Sequence, residues 1–144
     1  MPQYIEVKVK YDKTLDNGSV KQVTEPIVID AMTCTEAETK AVEYISSYIG
    51  GEYNIMSATK TKIAEAVHGE GYWFKAKVAF ITMDDLGGEK RVPQYILFEA
   101  TDFAEAYKML EAWCNRDSIV DIEVESLALT KIVEVIEYEA DEAR

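Results

Sequence analysis

Tyr72-Trp73-Phe74-Lys75-Ala76-Lys77-Val78-Ala79-Phe80-Ile81-Thr82 restates in kind an earlier stretch, Tyr4-Ile5-Glu6-Val7-Lys8-Val9-Lys10-Tyr11. Laid against itself at an offset of 69 residues, the chain matches almost to its end without a gap. Lys8/Lys77, Val9/Val78, Asp16/Asp85, Gly18/Gly87, Lys21/Lys90, Val23/Val92, Ile27/Ile96 and Ala31/Ala100 coincide. So do Glu36/Glu105, Ala37/Ala106, Ser57/Ser126, Thr61-Lys62-Ile63 with Thr130-Lys131-Ile132, and Glu65/Glu134. Two copies of so long a period denote a duplicated unit, because a solenoid needs about three or more repeats.

Each copy reads as strand–strand–helix–strand. In the first, Ile5, Val7, Val9 and Tyr11 alternate with Tyr4, Glu6, Lys8 and Lys10, the pattern of a half-buried strand. Asp16-Asn17-Gly18 is a turn, since Asn and Gly tolerate positive φ. A second strand runs over about 21–30, with Pro26 marking an edge or a bulge. Thr33 and Glu36 form a capping box, Ala37, Ala41, Tyr44, Ile45 and Tyr48 make one apolar helical stripe, and Gly50-Gly51 stops it. Residues 53–67 read as one extended segment, bent at its Ser and Thr.

His68-Gly69-Glu70-Gly71 links the copies. The second repeats every signal: strand 73–82, a turn at 84–88, strand 90–99, then a helix announced by Asp102 and Glu105 with Ala106, Leu110, Trp113 and Cys114 as its stripe. An extended segment over 120–138 leads into an acidic tail, 137–144. A unit near 65 residues has a marginal core. The expectation is therefore one α+β domain, 1–144, built from repeats 1–68 and 72–138 about a pseudo-twofold axis. Its two helices cover one side of antiparallel sheet, and the polar alternates of the other side lie in water.

The bulk numbers fit this. The chain has 144 residues, 48% hydrophobic and 29% charged, which is globular composition. No apolar run approaches the roughly 18 residues of a membrane span, and no basic-then-apolar leader opens the chain, so a cytoplasmic location is expected. Cys34 and Cys114 are too few for a disulfide framework and lack metal-ligand spacing. The net charge of −12 opposes indiscriminate phosphate binding, favours basic partners, or requires acids and bases to segregate by face.

Candidates for chemistry are few. His68, the only histidine, stands in a Gly-rich linker, where no neighbouring residue in the sequence suggests a catalytic arrangement. Cys34 and Cys114 align with Phe103 and Ile45, so both read as small core hydrophobes. No dinucleotide, P-loop, zincin or EF-hand pattern occurs, and no cofactor, metal or catalytic residue is expected. What stands out is an aromatic and lysine strand face. It carries Tyr4, Lys8 and Lys10 on the first strand and Trp73, Lys75 and Lys77 on its counterpart. Rings there would stack bases while the cations meet phosphates, as single-stranded nucleic acid requires. Exposed strands are often rich in Lys and Thr without any ligand, and Glu6, Glu25 and Glu125 dilute the field.

Lys8-Val9-Lys10-Tyr11-Asp12-Lys13, Gly18, Val23-Thr24-Glu25-Pro26, Thr35-Glu36-Ala37 and the 73–82 stretch resemble a domain-of-unknown-function family of Bacteroidetes chromosomes and their phages, crAss-like gut phages among them. The resemblance spans nearly the whole chain. It implies a bacterial host cytoplasm and, through the replication genes that phage members accompany, a single-stranded DNA-binding role. Two functions are thus expected: non-enzymatic single-stranded nucleic-acid binding through Tyr4, Lys8, Lys10, Trp73, Lys75 and Lys77, or an acidic protein-interaction module of phage-accessory or DNA-mimic type. Free sheet edges leave homodimerisation open.

Overall fold

The computed structural model describes residues 3–116 and 121–137. Of the acidic tail only Glu137 falls within that range; 138–144 lie outside the described residues, as do both ends of the extended segment expected over 120–138. The elements run β1 (Gln3–Thr14), β2 (Val20–Ala31), α1 (Cys34–Ser46), β3 (Tyr53–Lys60), β4 (Ile63–Val67), β5 (Tyr72–Met83), β6 (Glu89–Ala100), α2 (Phe103–Asn115), β7 (Asp121–Leu129) and β8 (Glu134–Ile136). This is an α+β fold, and its second half repeats the element order of the first.

The strand pairing differs from a purely antiparallel sheet. There are two four-stranded sheets, ordered β3-β1-β2-β8 and β4-β6-β5-β7. The long hairpins β1–β2 and β5–β6 are antiparallel, as are β1–β3 and β5–β7, but β2–β8 and β4–β6 are parallel. Both sheets are therefore mixed. The expected single segment over 53–67 breaks at Thr61-Lys62: β3 finishes the first sheet, and β4 enters the second. The same happens after β7, where the chain returns so that β8 edges the first sheet. Each half lends its last strand to the other, and the compact units are Met1–Thr61 with Lys131–Arg144, and Lys62–Thr130. These bounds depart from repeat boundaries at 68 and 72 because the crossover lies before the last strand.

The retained Thr-Lys-Ile tripeptides are these crossovers. Thr61 donates its backbone N–H (3.0 Å) and its hydroxyl (2.8 Å) to the carbonyl of Tyr4, and Thr130 does the same to Trp73 at 3.0 and 2.8 Å. A hydroxyl at that position anchors the end of an edge strand to the central strand just where the chain departs. The retained Lys8-Val9 and Lys77-Val78 mark another shared feature. Opposite them the edge strands carry one extra residue, Met56 and Glu125, which makes a bulge in each sheet.

Within the first unit, Ile5, Val7, Val9, Ile27, Ile29 and Ala31 meet Ala37, Ala41 and Ile45 of α1 in one buried core. The second unit repeats the scheme, with Phe74, Ala76, Val78, Ile96, Phe98 and Ala100 under Ala106, Leu110 and Trp113 of α2. Thr33 and Asp102 cap the helices, accepting from Glu36 N at 3.1 Å and Glu105 N at 2.8 Å. The reciprocal half of each expected box is altered. Glu36 turns to Lys40 at 3.3 Å, and Glu105 reaches past the cap to Thr101 at 3.2 Å.

The hairpin turns follow their chemistry: Gly18 and Gly87 take φ of 86° and 82°. Gly71, between β4 and β5, is needed for two reasons. Its φ is 116°, and a Cβ there would lie 2.4 Å from the Ala100 carbonyl oxygen.

Candidate functional site

The alternation read along β1 and β5 holds, but the environment of the second face does not match the expectation. On that face Tyr4, Glu6, Lys8 and Lys10 lie opposite Asp30, Val28, Pro26 and Thr24, while Trp73, Lys75, Lys77 and Ala79 lie opposite Glu99, Leu97, Tyr95 and Pro93. Val28 and Leu97 are fully buried, Ala79 and Val135 nearly so, and Trp73 is only 1% exposed. The expectation that Trp73 presents its ring to water is corrected. The face is apolar at its centre, and water is excluded from it there. The indole sits edge-on to His68, with ring centroids 5.1 Å apart, and among the described residues its Nε1–H has no hydrogen-bond partner.

The other five predicted residues are placed as follows. Tyr4 is half-buried and donates its hydroxyl to the Glu137 carboxylate at 2.8 Å. Lys8 is exposed, with Glu6 at 4.0 Å, and Lys75 is exposed with its ammonium 4.9 Å from the centre of the Tyr95 ring. Lys10 and Lys77 are half-buried. Tyr4, Lys8 and Lys10 share one sheet, and Trp73, Lys75 and Lys77 the other.

His68 is exposed, with Nδ1 4.0 Å from the Glu99 carboxylate. Cys34 and Cys114 are free thiols at the rims of the two cores, and burial, with Glu111 adding to it, raises the Cys114 pKa above the ordinary thiol range. Among the described residues no three His, Cys, Asp or Glu side chains converge as a metal set, and no helix is long and apolar enough to cross a membrane.

A different set of residues comes together on the helix side of each sheet. Tyr44 of α1 and Trp113 of α2 occupy matching positions, and so do Glu134 of β8 and Glu65 of β4. In the second unit a cleft of about 320 Å³ is lined by Glu65, Val67, Phe98, Met109, Trp113 and Arg116. There the Arg116 guanidinium lies 4.7 Å from the Trp113 ring centre and forks onto Glu65, at 3.1 and 3.4 Å. A planar cation on an aromatic face, held by both oxygens of a carboxylate, is the preferred surrounding of arginine.

In the first unit a cleft of about 180 Å³ lies against Tyr44, bounded also by Tyr11, Glu25, Ile27, Tyr48 and Val133. Tyr11 donates to Glu25 at 2.5 Å, and the Tyr44 and Tyr48 rings lie 4.6 Å apart. Burial, then the Glu25 carboxylate, pushes the Tyr11 pKa up to about 12. Burial, then the charge of Glu134, does the same for Tyr44. Register places Glu134 beside Ile27, and both face the helix. These residues escaped the strand-face reading because Tyr44 and Glu134 are far apart in sequence. The signal available was Glu65/Glu134, an identity between the repeats at a polar position.

No curated protein sequence and no solved structure matches the chain. A family model does, across residues 3–138, and by that match the chain belongs to the DUF4494 family of domains of unknown function.

Proposed function

We propose that this protein is a non-enzymatic, acidic interaction module that binds a basic protein partner. The observation that supports it most is the fate of the aromatic and lysine face. Trp73 is 1% exposed, Tyr4 is bonded to Glu137, Lys8 is beside Glu6, and Lys75 lies over Tyr95. A single strand needs ring faces open to bases and cations free for phosphates; these rings and cations have intramolecular partners. With that face set aside, the net charge of −12 governs encounters, and it attracts basic surfaces.

Single-stranded nucleic-acid binding is the second reading. It is favoured by the exposure of Lys8 on β1 and of Lys75 on β5, and by the resemblance to phage proteins that accompany replication genes. Fluorescence anisotropy separates the two. A labelled peptide of alternating Gly and Arg and a labelled oligo-dT are titrated with the protein at low salt and at about 0.15 M ionic strength. Binding of the peptide at both, weakened by salt, with none of the oligonucleotide, is expected. Binding of oligo-dT without the peptide would replace this reading with the second.

A further inference from the structure

Trp113 and Glu65 of the second unit have Tyr44 and Glu134 as counterparts in the first, and among the described residues only Glu65 of these two carboxylates is paired with a cation. Arg116 is the C-cap residue of α2; the matching C-cap of α1 is Ser47, whose hydroxyl turns back to the Tyr44 carbonyl at 2.7 Å. Lys13 pairs with the cleft's own Glu25 at 3.7 Å, and Lys40 pairs with Glu36 at 3.3 Å. Among the described residues no Lys or Arg pairs with Glu134, whose carboxylate accepts only from the Val135 N–H, at 3.0 Å. The adjoining cleft adds the rings of Tyr11 and Tyr48, while its Glu25 already accepts from Tyr11 and pairs with Lys13.

We infer that the cleft against Tyr44 in the first unit, with Glu134 beside its Ile27 wall, is a docking site for an arginine side chain of the basic partner, seated as Arg116 is seated in the second unit. The inference rests on the interaction-module reading and names the group that is recognised. A guanidinium stacks flat on the Tyr44 phenol and forks onto Glu134, and its aliphatic stem lies along the apolar wall made by Ile27, Ile45 and Val133. Lysine fits less well, because a compact, strongly hydrated ammonium neither stacks nor forks. In the second unit Arg116 already occupies the corresponding place.

The test uses the labelled Gly-Arg peptide, with Lys and citrulline versions, on the full chain and two variants checked for folding by circular dichroism. Glu134→Gln removes the charge without changing shape. Ser47→Arg installs at the α1 cap the residue that α2 already carries, and fills the cleft from within. The expected result is that the Arg peptide binds better than the Lys peptide, that citrulline does not bind, and that each variant weakens the Arg peptide about tenfold or more. Equal binding of Arg and Lys peptides that both variants leave unchanged would overturn the inference while sparing the interaction-module reading. Failure of every peptide to bind would overturn both.

Discussion

Replacing Trp73 by alanine separates a stacking residue from a core residue. At 1% exposure the indole surrenders nearly its whole surface to the interior. Truncating such a side chain costs about 3–5 kcal/mol, transfer and cavity terms together. At roughly 3 °C per kcal/mol for a chain of this length, Tm falls by about 10–15 °C. Phenylalanine is the control, because it keeps most of the ring contact and deletes an Nε1–H that has no partner among the described residues. Its cost should stay below about 2 kcal/mol. The assay is thermal unfolding followed by far-ultraviolet circular dichroism, with urea unfolding to give the free energy independently. If Trp73→Ala melts within about 2 °C of the parent, a change near 0.5 kcal/mol, the indole is not part of the interior. The strand face would then be open to bases after all.

Three further outcomes follow from the geometry. Gly71→Ala should cost more than about 2 kcal/mol, since φ is 116° and the new Cβ meets a backbone oxygen at 2.4 Å. Gly50→Ala, with nothing within 4 Å, should stay within about 0.5 kcal/mol; denaturant melts compare them. Thr61→Val and Thr130→Val each remove a crossover hydroxyl bond and should cost about 1 kcal/mol apiece, nearly additively, which a double variant checks. Tyr11 and Tyr44 are raised from 10.0 to about 12 in the fold. Their stabilising contribution is therefore complete below pH 10 and lost as pH rises towards 12. Urea unfolding across that window should show the decline, and Tyr11→Phe with Tyr44→Phe should flatten it.

Local structure was largely legible in the sequence. The strand alternation, the glycine turns and the Thr33 and Asp102 caps each rest on a residue's own preference, and each stands where expected. Two things were not legible. The repeated Thr-Lys-Ile shows that something recurs there, but no local preference says which sheet receives the following strand. That depends on which edge buries Ile63 or Val135 best. The burial of the second face was written in the sequence and outweighed by the lysines around it. Ile27-Val28-Ile29 and Ile96-Leu97-Phe98 are unbroken apolar runs, the mark of strands covered on both faces. Trp73-Phe74 is another. Read together they place Trp73 inside, while the alternate lysines read alone place it in water. The matching carboxylates depend on the exchange itself, which sets Glu134 beside Ile27 and Glu65 beside Ile96, so these sites became visible only with the topology.

The central claim, that the protein engages a basic partner through its helix-side cleft and leaves the strand face closed, is tested most directly by residue-resolved titration. Uniformly ¹⁵N-labelled protein is titrated with the Gly-Arg peptide and, separately, with oligo-dT, and amide shifts are followed by two-dimensional NMR. The account predicts saturating shifts on the peptide at Glu25, Tyr44, Ser47 and Glu134, with none of that size on the oligonucleotide. Shifts on oligo-dT along Lys8, Lys10, Lys75 and Lys77, with the cleft silent in both titrations, would contradict it.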